Sequence, residues 1–535
     1  KGAPVVHGLF PVSDNPKYKK EIITAIQNIK QSPAYPTTHK VNVSVEAGKR
    51  ICPKCQKETY RTWCRDCSVH TDFITAGSGF EKNNELIELN DEYQTAMKTL
   101  GLNSIPEVKV VDRLISKIKA PEALEKAILR AKYDLGTYKD GTIRFDMTDI
   151  PITHFRPREV ELTVEKAVEL GYTHDMDGNP LTNDEQLCEL KVQDIIPNTG
   201  CGDYLVIVAA YIDHLLEKFY DCDKFYNIKD RQELIGQLGV GLAPHTSGGI
   251  LCRIIGYTTA NGCYAHPFFH AAKRRNCDGD EDSVILLLDC LINFSRTYLP
   301  DRRGGLMDAP LVLTTRLDPN EIDKEAHNID CLREYPLEFY EAAMSFKDTK
   351  EIEKNMDLIA GRIGTPQQYE GLKFTHDTND ISEGPKQSAY TTLETMMDKM
   401  EAQLYLGKKI RAVDEKDVAT RVINKHFLPD MTGNLRSFST QGVRCNECGA
   451  KYRRVPLTGK CIALNASKPS GKCGNSLVLS VYEASVKKYL AISQEIGRKY
   501  ELSEYTKERI DILEMSMDSL FNNDKVKKCK LSDFF

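Results

Sequence analysis

Cys52-Pro53-Lys54-Cys55 is followed, after eight intervening residues, by Cys64-Arg65-Asp66-Cys67. Two Cys-x-x-Cys knuckles at this spacing set four thiolates around one tetrahedral ion, and Zn²⁺ is the ion such a set selects. In so small a module the binding energy, on the order of 10–16 kcal/mol, becomes folding energy. A second group comprises Cys445-Asn446-Glu447-Cys448, Cys461 and Cys473. Here eleven residues separate Cys461 from Cys473, where a second Cys-x-x-Cys is expected. Gly459-Lys460-Cys461 and Gly471-Lys472-Cys473-Gly474 both read as knuckle turns, so an insertion within one ribbon is the simplest account. Two structural Zn²⁺ are expected, because neither set leaves an open coordination position. Disulfides would need an oxidising compartment. The other nine of the 17 cysteines are scattered singly, like thiols of a reducing cytosol.

Asn276-Cys277-Asp278-Gly279-Asp280-Glu281-Asp282 carries the chemistry. Alternate side chains of an extended segment share a face, and a bend at Gly279 brings Asp278 and Asp280 closer. The result is a cluster of hard oxygen ligands of the kind Mg²⁺ or Mn²⁺ prefers. Lys273-Arg274-Arg275 lies immediately upstream, where cations offset phosphate charge. An EF-hand loop would want Gly at its sixth position and Glu at its twelfth. Counting from Asp278, Ser283 and Asp289 stand there instead. A solvated acidic turn is the bland alternative. The apolar run Val284 to Leu288 argues against it by anchoring the acids to a core.

Ala265-His266-Pro267-Phe268-Phe269-His270-Ala271-Ala272-Lys273-Arg274-Arg275 and the acidic run resemble the large subunit of archaeal family-D DNA polymerase. Gly241 to Ser247, Arg253 to Thr258 and Asp149 to Glu159 fit the same family, and the likeness extends from about residue 45 to the C-terminus. The spacing also resembles the metal loop of multisubunit RNA polymerases. The resemblance implies a mixed α+β fold with a double-psi β-barrel catalytic core, zinc ribbons and helical accessory or clamp domains. It implies template-directed DNA synthesis from dNTPs on primer-template DNA, with two divalent ions per active site. Asp278 and Asp280 are the expected ligands, and Asn276 and Asp282 their helpers. Lys273, Arg274, Arg275, Arg253, His245, His266 and His270 are candidates for phosphate or DNA contact, although a lone His near a glycine-rich turn is more often structural. No metallophosphoesterase signature is present; the resemblance implies that proofreading resides in a small exonuclease subunit with which the chain forms a heterodimer. An RNA-polymerase-like enzyme and a non-catalytic zinc-ribbon scaffold that clamps DNA are the competing readings.

The expected organisation is an extended segment (1–45), a first ribbon (46–75), a helical region (76–137), the catalytic barrel region (138–320), a mainly helical region (321–439), a second ribbon (440–482), a C-terminal helical region (483–521) and a tail (522–535). In that tail Leu531, Phe534 and Phe535 resemble a peptide that plugs the apolar pocket of the sliding clamp PCNA, with Lys528 in place of the usual Gln. The net charge of −5 argues mildly against generic nucleic-acid binding. Local clusters such as Lys451, Arg453 and Arg454 suggest a basic channel on an acidic protein. No apolar run approaches about 18 residues, so no membrane span is expected, nor is a signal peptide found. A cytoplasmic, nucleoid-associated protein is expected. The start at Lys1 suggests a piece of a longer chain.

Overall fold

The structure, a computed structural model, describes residues 6–12, 21–31, 39–74, 84–104, 107–111, 119–277, 279–299, 303–410, 413–446, 448–464 and 471–522. Asp278 and the tail residues Leu531, Phe534 and Phe535 lie outside the described residues. Two compact units divide the chain, Lys1–Gln387 and Ser388–Phe535. Among the described residues no helix is long and apolar enough to cross a membrane.

The first unit is built on a barrel. Its strands are β1 (Phe145–Pro151), β2 (Asp194–Ile196), β3 (Leu238–Leu242), β4 (Gly248–Ile254), β5 (Cys263–Ala265) and β6 (Glu281–Leu286). They pair in the ring β2-β5-β1-β6-β3-β4 and close through β4 on β2, while β7 (Val312–Thr314) adds to β4. The β1–β5 and β2–β4 pairs are parallel, and the other ring pairs are antiparallel. Closure removes the free edges that an open sheet of short strands would expose. Val284, Ile285 and Leu286 of β6 are fully buried, which is why that apolar run follows the acids.

Helix α1 (Leu124–Lys132) packs against α2 (Thr199–Phe219), and α2 covers β1 and β6. Asn198 starts α2, its side chain accepting the Cys201 N–H at 2.6 Å. One continuous apolar core runs from Phe10 through these helices to Leu286. Arg130 of α1 is wholly buried within it. Its guanidinium grips both Glu122 oxygens at 2.8 and 2.9 Å and also donates to the His7 and Gly141 carbonyls. Removing one partner of such a pair strands the other charge in a dry core. Arg130→Met is therefore expected to destabilise the first unit by about 3–5 kcal/mol in denaturant unfolding.

The boundary at Gln387 falls inside the 321–439 stretch that reads as one helical region. The reason is packing. Ile322, Ala326, Ile359 and Leu372 bury against Phe268 and Ala271 of the first unit. Met400 and Leu404 bury instead with Ile423, Phe427, Met431, Ile496 and Met517 of the second. That second unit assembles helices Met396–Lys409, Leu428–Thr440, Leu490–Lys499 and Glu504–Phe521, with Phe427 stacked on Tyr489 at 4.4 Å.

Candidate active site and metal centres

Both cysteine groups converge. In each, four sulfur positions lie within 4.8 Å of one another. A tetrahedron with Zn–S bonds of about 2.3 Å has edges of about 3.8 Å. Cys55–Cys64 and Cys445–Cys473 are both 3.8 Å apart and Cys448–Cys461 is 3.4 Å apart, so the donor sets fit Zn²⁺. Cys473 reaches its partners because the two ends of the insertion pair antiparallel, Leu464 against Lys472. The Cys473 amide donates to the Ala463 carbonyl at 2.8 Å and the Gly474 amide to the Cys461 carbonyl at 2.9 Å. The first ribbon is fastened to the helical frame. Arg65 pairs with Glu125 at 2.8 Å and Glu92 at 3.0 Å, and Trp63 lies edge-on to Tyr220 at 5.5 Å.

The acidic run connects α3 (Pro267–Ala272) to β6 at one end of the barrel. Gly279 adopts φ 94°, a bend that glycine makes at no steric cost. Asp282 already belongs to β6, opposite Met147 of β1. Its carboxylate pairs with the Lys273 ammonium, and both side chains are buried. Lys273 also lies 3.4 Å from His270 Nδ1 and 4.3 Å above the Phe269 ring. Gly241 makes this packing possible, since a Cβ there would stand 2.6 Å from Phe269 Cζ. Asp280 is the open acid, its side chain 41% exposed and 3.5 Å from Arg275. Arg275 in turn donates to the Pro244 carbonyl, tying the 241–249 turn to the acidic run. Arg274 is exposed and faces a cleft of about 470 Å³ with His245, Ser247 and Thr314.

The other expected contacts are held by the fold itself. Arg253 is clamped by Asp194 at 2.9 and 2.6 Å, and Asp194 also accepts from the Tyr172 hydroxyl. Strand register places Arg253 opposite Leu238, at the far end of the barrel from the acidic run. His266 and His270 are fully buried rather than presented to solvent. His266 caps α3, its Nδ1 accepting the Phe268 N–H at 3.1 Å. Burial first, then His154 nearby, lowers its pKa to about 3. Burial and Lys273 likewise hold His270 well below its ordinary value. His266 is thus neutral in the fold, and its contribution is fully present above about pH 6.5 and lost as pH falls toward 3. His266→Asn keeps a capping acceptor and cannot be protonated. The melting-temperature gap between wild type and this variant should narrow as pH falls from about 6.5 to 4 in calorimetry. A gap constant with pH would show that His266 protonates freely in the fold.

Asp149 of β1 is the site residue that motif reading passed over. It is buried, its Oδ1 accepts the Gly279 N–H at 3.0 Å, and its own N–H donates to the Asp280 carbonyl at 2.9 Å. Burial raises its pKa to about 6 against the opposing pull of Lys273. Oδ2 has no hydrogen-bond partner. The available signal was alternation: Asp146 falls on the exposed face of the strand, whereas Asp149 shares the buried face with Met147.

Residues 101–399 match the family model described as the catalytic domain of DNA polymerase II large subunit DP2. The chain belongs to the DNA polymerase II large subunit family. Residues 1–85 match that family's central-domain model. The DNA polymerase II large subunit of Methanocella arvoryzae is 51% identical over 550 aligned residues, spanning 99% of this chain and 47% of the relative. Those of Methanococcoides burtonii and Methanothermobacter thermautotrophicus are 49% and 47% identical, each across all of this chain and 47% and 46% of their own length. The chain spans about half the length of the curated relatives it matches.

Proposed function

We propose that this chain carries the nucleotidyl-transfer centre of a DNA-directed DNA polymerase acting in replication. The observation that supports it most is the acidic turn, held open at a barrel end inside the segment that matches the catalytic-domain family. Asp278 and Asp280 are the proposed ligands of two Mg²⁺ or Mn²⁺ ions, with Asn276 beside them. The exposed carboxylate of Asp280 is a donor of the hard kind such ions take. The ions, when bound, lower the pKa of the attacking hydroxyl and offset charge on the phosphates. Arg274 and His245 meet triphosphate or template backbone at the cleft, and Arg275 stands beside Asp280. Lys273, His270 and Asp282 support the turn from inside. The primer 3′-hydroxyl attacks the α-phosphate of the incoming dNTP, and pyrophosphate leaves.

The mixture of parallel and antiparallel pairs within one closed ring supports a double-psi reading of the barrel. Exonucleolytic proofreading is assigned to a small partner subunit, and clamp attachment to Leu531, Phe534 and Phe535. Primer extension by the complete large subunit joined to its small subunit tests the proposal, with the Asp278→Asn, Asp280→Asn double variant as comparison. Extension by wild type alone supports the assignment. Equal extension by both overturns it, and preference for rNTPs would assign an RNA polymerase instead.

A further inference from the structure

The turn that leads into Asp280 depends on one glycine. Its bend at Gly279 is a single positive-φ residue, and glycine is the residue with most freedom to leave such a conformation. Yet metal ligands and positioning groups must be held to within a fraction of an ångström for transfer to be efficient. Something beneath the turn has to hold it, and Asp149 is placed to do so. Its carboxylate accepts the N–H of Gly279, and its backbone N–H reaches the carbonyl of Asp280. Two bonds from one residue of a barrel strand thus close on two consecutive residues of the turn.

The clasp is itself braced. His270 Nε2 donates to the Ile150 carbonyl at 3.2 Å, locking the strand position next to Asp149 and leaving Nδ1 as an acceptor. That Nδ1 receives Lys273, whose ammonium also pairs with Asp282 at the other end of the run. Asp149 Oδ2 stands 3.9 Å from the same Nδ1. Asp149, His270, Lys273 and Asp282 are all buried, so the acidic run rests on a closed polar cluster rather than on solvent.

The geometry points to Asp149 as a positioning residue, a carboxylate clasp that sets the conformation of the Gly279–Asp280 turn. This inference rests on reading that turn as the polymerase centre. The clasp needs an acceptor at Oδ1, not a negative charge. An asparagine supplies that acceptor, and its amide can donate toward His270. A residue acting as a metal ligand through its charge would not tolerate the same change.

The test compares Asp149→Asn, Asp149→Ala and Asp149→Ser in the complete large subunit with its small subunit. Hydrogen–deuterium exchange over residues 276–282 is read alongside single-turnover primer extension. Asp149→Asn is expected to keep loop protection and to extend within about threefold of wild type. Asp149→Ala and Asp149→Ser should lose protection in the loop but not in β3 and β4. Their kcat should fall about 30-fold, with KM for dNTP moving less than about twofold. Unchanged loop exchange or unchanged kcat in the truncated variants overturns the clasp. So does an asparagine variant as inactive as Asp280→Asn, with a raised Mg²⁺ requirement, because that result assigns a charge-bearing ligand. Should both truncated variants melt, the asparagine variant alone still decides. Normal extension by Asp280→Asn in the same assay would instead overturn the proposed function, while the exchange data would still judge the clasp.

Discussion

Asp280→Asn is expected to lower primer extension about 10³-fold, the equivalent of about 4 kcal/mol of lost transition-state stabilisation. The fold should barely notice. The Asp280 side chain is 41% exposed, and its ion-pair contact is the 3.5 Å approach to Arg275. Exposed pairs of this kind contribute at most about 1 kcal/mol. The carbonyl of Asp280, which accepts the Asp149 N–H, survives the substitution. Activity and stability therefore separate, and single-turnover extension with saturating dNTP beside a melting curve measures both. Near-normal extension would place the reaction centre elsewhere in the molecule.

Removing zinc should have the largest effect on stability. The ligand sets have their sulfur positions gathered within 4.8 Å, and without an ion four thiols gain little from that proximity. Binding energy on the order of 10–16 kcal/mol per site would be withdrawn from modules with few apolar residues of their own. Elemental analysis should find two Zn²⁺ per chain. Trp63, the single tryptophan, reports on the first ribbon because it packs against Phe219 and Tyr220 of the helical frame. Strong chelation should shift its emission to the red as the ribbon melts. Cys445→Ser should lose one Zn²⁺ and leave that emission unchanged. An emission shift in Cys445→Ser would mean that the two ribbons fold as one unit.

Motif chemistry made much of the site legible before any coordinates. Cysteine spacing identified both ligand sets, including Cys473, because a knuckle turn is a local structure and its glycines and thiols stand next to each other in the chain. The acidic run is a local motif of the same kind. Roles that depend on what lies across the barrel were not. Lys273, Arg274 and Arg275 are adjacent cations, yet Lys273 turns inward to Asp282, Arg275 binds the Pro244 carbonyl and Arg274 faces the cleft. Arg253 looked like a phosphate contact from its neighbours in sequence, and Asp194 claims it. The division at Gln387 was hidden because it is set by which core each side joins, which local sequence does not record.

The sequence by itself determined the two four-cysteine groups, the position of the acidic run and the family to which these motifs belong, since each is written in residues a few positions apart. Only the tertiary structure decided which charges face solvent and which are spent inside. It closed the six-stranded ring, buried His266, His270 and Lys273, and set Asp149 of one strand beneath a turn 130 residues away in the chain. The physical reason is that a buried polar group persists only where a partner meets it. Those partners come from strands whose neighbours are chosen by barrel closure, not by sequence order.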